Sequence, residues 1–417
     1  MKAFRDIVIL ILVAAATAFA SPSAVLEGKG EFQRARWKSG PIKIYISSSL
    51  TKFNPNIKAD SDVLAAIRES LRVWSDAADV TFEIEFTDKQ NVSATGIAGD
   101  GINLITIGAT PENVLLFSRD QRTAAKTRVF YNRKGSITEA DIVLSPFQQF
   151  STDGSFGTFD LQAVLTHEIG HMLGLQHSGV RGSAMLDNLV KNGANGVSGS
   201  RDLAESDIAS IRDIYGTTDL MDDCCSTIEG QLTASNGRAA KSLSVWAEDI
   251  ETGRVIGQAE TAVDGTFRMG GIPAGKYRVL ALSRAGMFDE IGQVELGPTD
   301  EKNIDRSVSL DQPKVSLDLI GADGQLAECA IVVSRGATHT VFLGGKGLDS
   351  RNIALSSNSR FLHIDNSSIT QQDLADGVAV LSFSIMTDDD TPAGLYSLFA
   401  STGKTARSVL VGALRIR

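Results

Sequence analysis

Cysteine, histidine and aromatic side chains are scarce in this sequence, and each scarcity narrows what it encodes. Its 417 residues contain 3 cysteines and 5 histidines, and aromatics make up 6%. Three cysteines allow one intramolecular disulfide in an oxidising compartment. An excess of positive charge is also missing. Lys and Arg number 40 against 50 Asp and Glu, a net charge of −10, which argues against a nucleic-acid partner. Beyond the first twenty residues no apolar run is long enough to cross a membrane. Few aromatics with 39 glycines fit a soluble, β-rich chain, and this length suggests roughly two to four domains.

The first twenty residues read as a secretory signal. Lys2 and Arg5 give a basic start, Ile7 to Ala18 an apolar core, and Ala18-Phe19-Ala20 a cleavage site. The apolar core is shorter than the ~20 residues that a membrane span needs. No cysteine near the cleavage site offers a lipid anchor. The expectation is an exported protein: secreted, periplasmic or on the cell surface.

What the chain does have is concentrated. Three of its histidines fall in His167-Glu168-Ile169-Gly170-His171-Met172-Leu173-Gly174-Leu175-Gln176-His177. Helical residues four apart share a face, so His167 and His171 can turn ring nitrogens toward one metal ion. Glu168 stands beside the first ligand without being needed as one. Its carboxylate can take a proton from a water that zinc acidifies to a pKa of about 7. Gly174 can adopt the left-handed conformation that ends a helix, which lets His177 return as third ligand. Three protein ligands leave a position open, the mark of a catalytic rather than a structural zinc site. Asp160 is the expected N-cap, and Leu161, Val164, Leu165 and Leu173 supply apolar positions at helical spacing.

This run, with Met185 following, resembles the signature of the metzincin zinc proteases. The wider sequence resembles the matrixins within that clan, especially bacterial members, over roughly residues 35–216. Trp37–Ser47 looks like an opening strand, 61–77 a helix ending in Trp-Ser-Asp, and 80–86 a strand beginning Val-Thr-Phe. Residues 101–108 and 139–145 look like further strands, and 203–216 like a closing helix ending in Tyr-Gly. The resemblance implies that His167, His171 and His177 bind zinc and that Glu168 is the general base. Met185 would be the Met-turn residue under the metal. It implies endopeptidase action on extended protein or peptide substrates, which add as a strand to a sheet edge. Thr127–Asn132 is the candidate edge, and Leu186–Arg201, with its flexible Asn192–Gly196 stretch, would wall the pocket after the scissile bond. Two departures stand out: Leu186-Asp187 follows the methionine where an aromatic residue and proline are usual, and Ser206-Asp207 replaces two aspartates. No cysteine lies between Ser21 and Trp37, so a propeptide cysteine cannot hold the zinc from there.

Calcium is common in the resembled family. Asp153, Glu139 and Asp141 are possible ligands, the alternative being a polar turn and an exposed strand.

After Gly216 the pattern changes to short alternating strands and turns. Asp264–Phe267 and Ile272–Tyr277 resemble carboxypeptidase-regulatory-like β-sandwich modules. Thr340–Gly345 and Ala393–Ser397 resemble immunoglobulin-like ones. Asp388-Asp389-Asp390 reads as a solvated loop. The expected fold is multidomain: an α+β metzincin catalytic domain, with a twisted mixed sheet and three helices, followed by two all-β sandwich domains. The boundaries are 1–20 signal, 21–34 short N-terminal segment, 35–216 protease, 217–225 linker with a cysteine pair, 226–311 first sandwich and 312–417 second. Adjacent cysteines are poorly placed for mutual bonding, so Cys329 is expected to pair with Cys224 or Cys225. The sandwiches offer attachment to surface or matrix components. An alternative reading is an adhesin or scaffold with a vestigial zinc domain.

Overall fold

The computed structural model describes residues 35–417, except 94–98, 119, 133, 194–199, 218–223, 284–285, 311–313, 323, 375–376 and 404–405. The expected signal and N-terminal segment therefore lie outside the described residues, as do most of Asn192–Gly196 and the middle of the linker.

Residues 35–217 build a mixed sheet with helices on it. Strands β1 (Ile42–Ser47), β2 (Phe82–Thr87), β3 (Asn103–Thr106), β4 (Ala125–Tyr131) and β5 (Ile137–Leu144) lie in the order β2-β1-β3-β5-β4. The pairs β1–β2, β1–β3 and β3–β5 are parallel, and only β4 runs antiparallel to its neighbour. The inner strands β3 and β5 are buried almost throughout, as strands covered on both faces are. β4 closes the sheet as an edge, as expected for the segment that contains Thr127.

Five helices occur among the described residues: α1 (Ser48–Thr51), α2 (Val63–Ala77), α3 (Pro111–Leu116), α4 (Leu161–Met172) and α5 (Glu205–Tyr215). The expectation of three omitted α1 and α3, which span too few turns to show a periodic apolar face. α2 begins where Asp62 accepts from the Ala65 N–H, and it buries Ala66, Ile67, Ser70, Leu71 and Trp74 at helical spacing. Its opposite face carries Arg72 paired with Glu69 and Asp76. Trp74 Nε1 donates to the Thr166 carbonyl at 2.9 Å and Ser70 Oγ to that of Gln162 at 3.0 Å, which ties α2 to α4. Nearly every residue of α4 is buried, so this helix is part of the core and has no exposed face.

The rest of the chain is rich in β strands. Ser244–Asp249, Val255–Glu260, Gly275–Leu282 and Phe288–Leu296 form one sheet, and Ser226–Ala234, Thr266–Ile272 and Glu301–Asn303 another. The two share a core that includes Ile228, Leu232, Val245, Phe267 and Val279. A second pair of sheets follows, one built around Thr338–Lys346 and Val378–Thr387, the other around Gly394–Thr402 and Ala406–Ile416. Between them lie Ile320, Val341, Leu381, Phe383, Leu398 and Leu414. Asp264-Gly265 is a tight turn with Gly265 at φ +82°. Asp388–Asp390 forms a loop in which Asp388 accepts from His363 at 2.9 Å.

Cysteine pairing departs from expectation. The disulfide joins the neighbours Cys224 and Cys225, and Cys329 stands outside it. Glu328, the residue before Cys329, is bound at Arg181 and Asn188, which holds Cys329 there rather than at the linker.

Candidate metal centre

The site is organised by the two ends of α4. At the start, Asp160 accepts from the Ala163 N–H at 2.8 Å, the cap expected from sequence, and Arg201 grips the same carboxylate. At the other end Gly174 sits at φ +96°, and a Cβ there would collide with the Ala35 carbonyl. Glycine thus satisfies both the left-handed backbone and a close chain crossing. The chain reverses, and His177 comes back toward the helix.

Here the three histidines meet. His171 Nε2 lies 3.1 Å from both His167 Nε2 and His177 Nε2. Backbone carbonyls occupy the other ring nitrogens of two of them: His167 Nδ1 contacts Ala184 O and His171 Nδ1 contacts Leu175 O, each at 2.9 Å. A carbonyl only accepts, so those Nδ1 atoms carry the protons and the Nε2 lone pairs point at one another. Burial holds His167 well below its ordinary pKa and takes His171 down to about 4, so both rings are neutral near pH 7. Three lone pairs aimed at one point repel unless a cation sits between them. Two ligands at Zn–N of 2.0–2.1 Å in a tetrahedron are separated by about 3.3 Å, close to the separation found. Among the described residues this is the sole cluster of three or more ligating side chains within reach of one ion. The residues therefore fit zinc.

Glu168 projects from α4 beside His167 and is buried. Thr127 Oγ1 on β4 donates to its Oε2 at 2.5 Å and lies 3.1 Å from its backbone carbonyl. Burial pushes this carboxyl up to about 7, opposed by the Thr127 hydroxyl and the charge of Lys126.

Met185 lies under α4, where a Cβ on Gly170 would strike its thioether. Its carbonyl accepts from Ser178 N at 2.7 Å, joining the turn to the residue after His177. Asp207 anchors the same turn from α5. Its carboxylate accepts from Ser183 Oγ and, at 2.8 Å each, from the N–H groups of Ala184 and Ala204. Asp207, the one aspartate kept in the Ser206-Asp207 pair, is thus a fixture of the turn. Nothing in its spacing signals that, nor does any motif mark Thr127, because both contacts depend on how distant elements pack.

Among the described residues the possible calcium ligands form no group of three within reach of one ion. Asp153 is exposed and accepts from Ser155 N and Oγ within its own turn, at 2.9 and 2.7 Å. Glu139 and Asp141 lie on β5, and the alternative reading of them as an exposed strand is corrected, since both are buried. Asp141 accepts from the N–H groups of Ser93 and Leu104 at 2.9 and 3.1 Å; Glu139 accepts from Ser93 Oγ and Gly101 N. These carboxylates serve to hold the strand-connecting loops.

The matrixin family model, peptidase M10, matches residues 36–216. Metalloendoproteinase 4-MMP of Arabidopsis thaliana is 26% identical over 195 residues, covering 44% of this chain and 49% of its own length. Metalloendoproteinase 1 of Glycine max is 23% identical over 192 residues, covering 43% of this chain and 53% of its own. The hatching enzyme of Paracentrotus lividus is 29% identical over 185 residues, covering 43% and 26%. The chain thus spans about half the length of the two plant relatives. With its helix, its three converging imidazoles and its methionine turn on that matched stretch, the region from residue 36 to residue 216 is a matrixin-like metalloprotease domain.

Proposed function

We propose that the chain is an exported zinc-dependent endopeptidase that cuts extended protein or peptide substrates. One observation carries this reading: three imidazoles converge through Nε2 against the helix that also bears Glu168. In that role His167, His171 and His177 hold the metal. Zinc bound there would supply Lewis acidity to a carbonyl and would acidify water. Glu168 takes the proton of the attacking water and hands it to the leaving amine. The Thr127 hydroxyl fixes which way that carboxylate faces. Substrate adds as a strand to the outer edge of β4, which stands last in the sheet order among the described residues. Export rests on the composition of residues 1–20. Among the described residues no helix is long and apolar enough to cross a membrane.

The test is zinc content together with cleavage of an unbiased peptide library, for the full chain and for Glu168→Ala. A single zinc per chain is expected in both, with cleavage lowered at least about 100-fold in the variant. Equal cleavage by both would remove Glu168 from its role. Zinc without cleavage in the wild type would favour a binding scaffold, and a folded chain that takes up no zinc would end the reading.

A further inference from the structure

The loop between His177 and Met185 is held from outside the protease region. Arg181 donates its backbone N–H to Val411 O at 2.8 Å, and its carbonyl accepts from Ala330 N at 3.0 Å. Its guanidinium donates to the Glu328 carbonyl at 2.7 Å. Arg415 reaches the Gly182 carbonyl, and its Nη2 lies 2.9 Å from Ser200 Oγ. Val180 is fully buried among Trp246, Leu280, Leu395, Phe399 and Val411. The fit leaves no slack: a side chain on Gly182 would strike Leu395, and one on Gly412 would strike Val180.

The grip continues past Met185. Asn188 Nδ2 donates to the Glu328 carboxylate, and a Cβ on Gly193 would overlap the Gln325 amide. On its other side this segment is stitched to the approach to α4: Asn192 N donates to Thr158 O at 2.8 Å, and Gly157 N to Asn192 O at 2.9 Å. Residues 187–193 are therefore strung between the approach to the histidine helix and residues 325–328 of the last pair of sheets.

We infer that this last pair of sheets is a wall of the catalytic site rather than a tethered accessory. Gln325, Glu328 and Arg415 are positioning residues. They set the loop that carries the third ligand and the segment that meets the substrate side chain after the scissile bond. The inference rests on the protease reading above. Its physical basis is that Ser178 N bonds Met185 O, so the loop and the turn move together. Any rotation of the loop would break its backbone bonds to Ala330 and Val411 and bring Val180 into water. An accessory domain would instead meet the protease through a smaller, more polar contact.

The experiment compares the full-length wild type with Glu328→Ala, Arg415→Met and their double variant. Arg351→Ala is the control, since Arg351 is exposed on the same unit and pairs with Asp349. Three quantities are read: zinc affinity by chelator competition, amide exchange over residues 178–193, and the kcat/KM ratio for two peptides differing only after the scissile bond. In the double variant, zinc affinity is expected to fall roughly tenfold. Exchange over 178–193 should quicken, and the peptide ratio should shift by at least about threefold. The control should match wild type in all three. Should circular dichroism show the double variant unfolded, Glu328→Gln, which keeps shape and loses charge, decides by the same readouts. Folded variants with wild-type zinc affinity and an unchanged peptide ratio would overturn the inference. A wild type that holds no zinc and cuts nothing would instead bring down the protease reading beneath it.

Discussion

At the scale of single residues, the site depends on side chains that hold others still. The histidines and Glu168 are legible in sequence because their spacing fixes which face of a helix they share. Thr127 is not, because its contact exists only through the register of β4 against β5 and the packing of α4 on both. Thr127→Val removes one hydroxyl that donates to a carboxylate and keeps the shape of the side chain. Hydrogen bonds to charged groups contribute about 1.5–3 kcal/mol, so kcat should drop roughly tenfold or more, while zinc content stays at the wild-type level. Steady-state kinetics at saturating peptide decides it; an unchanged kcat would leave the hydroxyl without a part in catalysis.

At the scale of elements, most of the protease region was readable and its joints were not. The helix expected at 61–77 begins at Val63 because Asp62 serves as its cap. The strand expected at 80–86 is β2, Phe82–Thr87. These elements announce themselves by periodicity; α1 and α3 are too short to do so, and the role of α5 in holding the methionine turn left no mark in sequence. Two substitutions probe the joints. Gly174→Ala places a side chain at φ +96° against the Ala35 carbonyl, which should destabilise the fold by at least about 1–3 kcal/mol in urea unfolding. Stability within a few tenths of wild type would mean that the helix end tolerates a Cβ. Asp207→Ala leaves the N–H groups of Ala184 and Ala204 and the Ser183 hydroxyl without their buried acceptor. A loss of about 3 kcal/mol is expected, together with faster zinc release, since Ala184 O also bears on His167. Zinc release at the wild-type rate from a destabilised variant would separate the turn from the metal site.

At the scale of the whole molecule, the sequence marks out the β-rich half but not how it docks, because turn and alternation signals carry no information about which surfaces meet. Glu248 illustrates the docking. It is buried, with Trp246 Nε1 donating to it at 2.9 Å from its own strand and Asn358 Nδ2 at 2.6 Å from the last pair of sheets. Burial raises its pKa above its ordinary 4.5, opposed by the hydrogen bonds of Asn358, Ser397 and Trp246 and by the charge of Arg278. The folded state thus holds this proton more tightly than the unfolded chain. The stability it contributes is full below pH 4.5 and is lost as pH rises through the higher folded value. The Tm of the wild type minus that of Glu248→Gln should therefore fall as pH rises from about 4.5 toward neutrality. A difference that stays level across that range would show that Glu248 is as readily ionised folded as unfolded.

The burial of Val180 under Leu395, Phe399 and Val411 also has a meaning in time. A chain emerges N-terminus first, at about 5–20 residues per second, so the stretch from Ser183 to Val411 follows the histidine run by roughly 10–50 s. During that interval the histidines and Glu168 are already made, but the loop between His177 and Met185 lacks its contacts to Ala330, Val411 and Arg415. Order of synthesis then acts as a delay: the nascent chain carries the histidine run well before the strands that pack on the neighbouring loop.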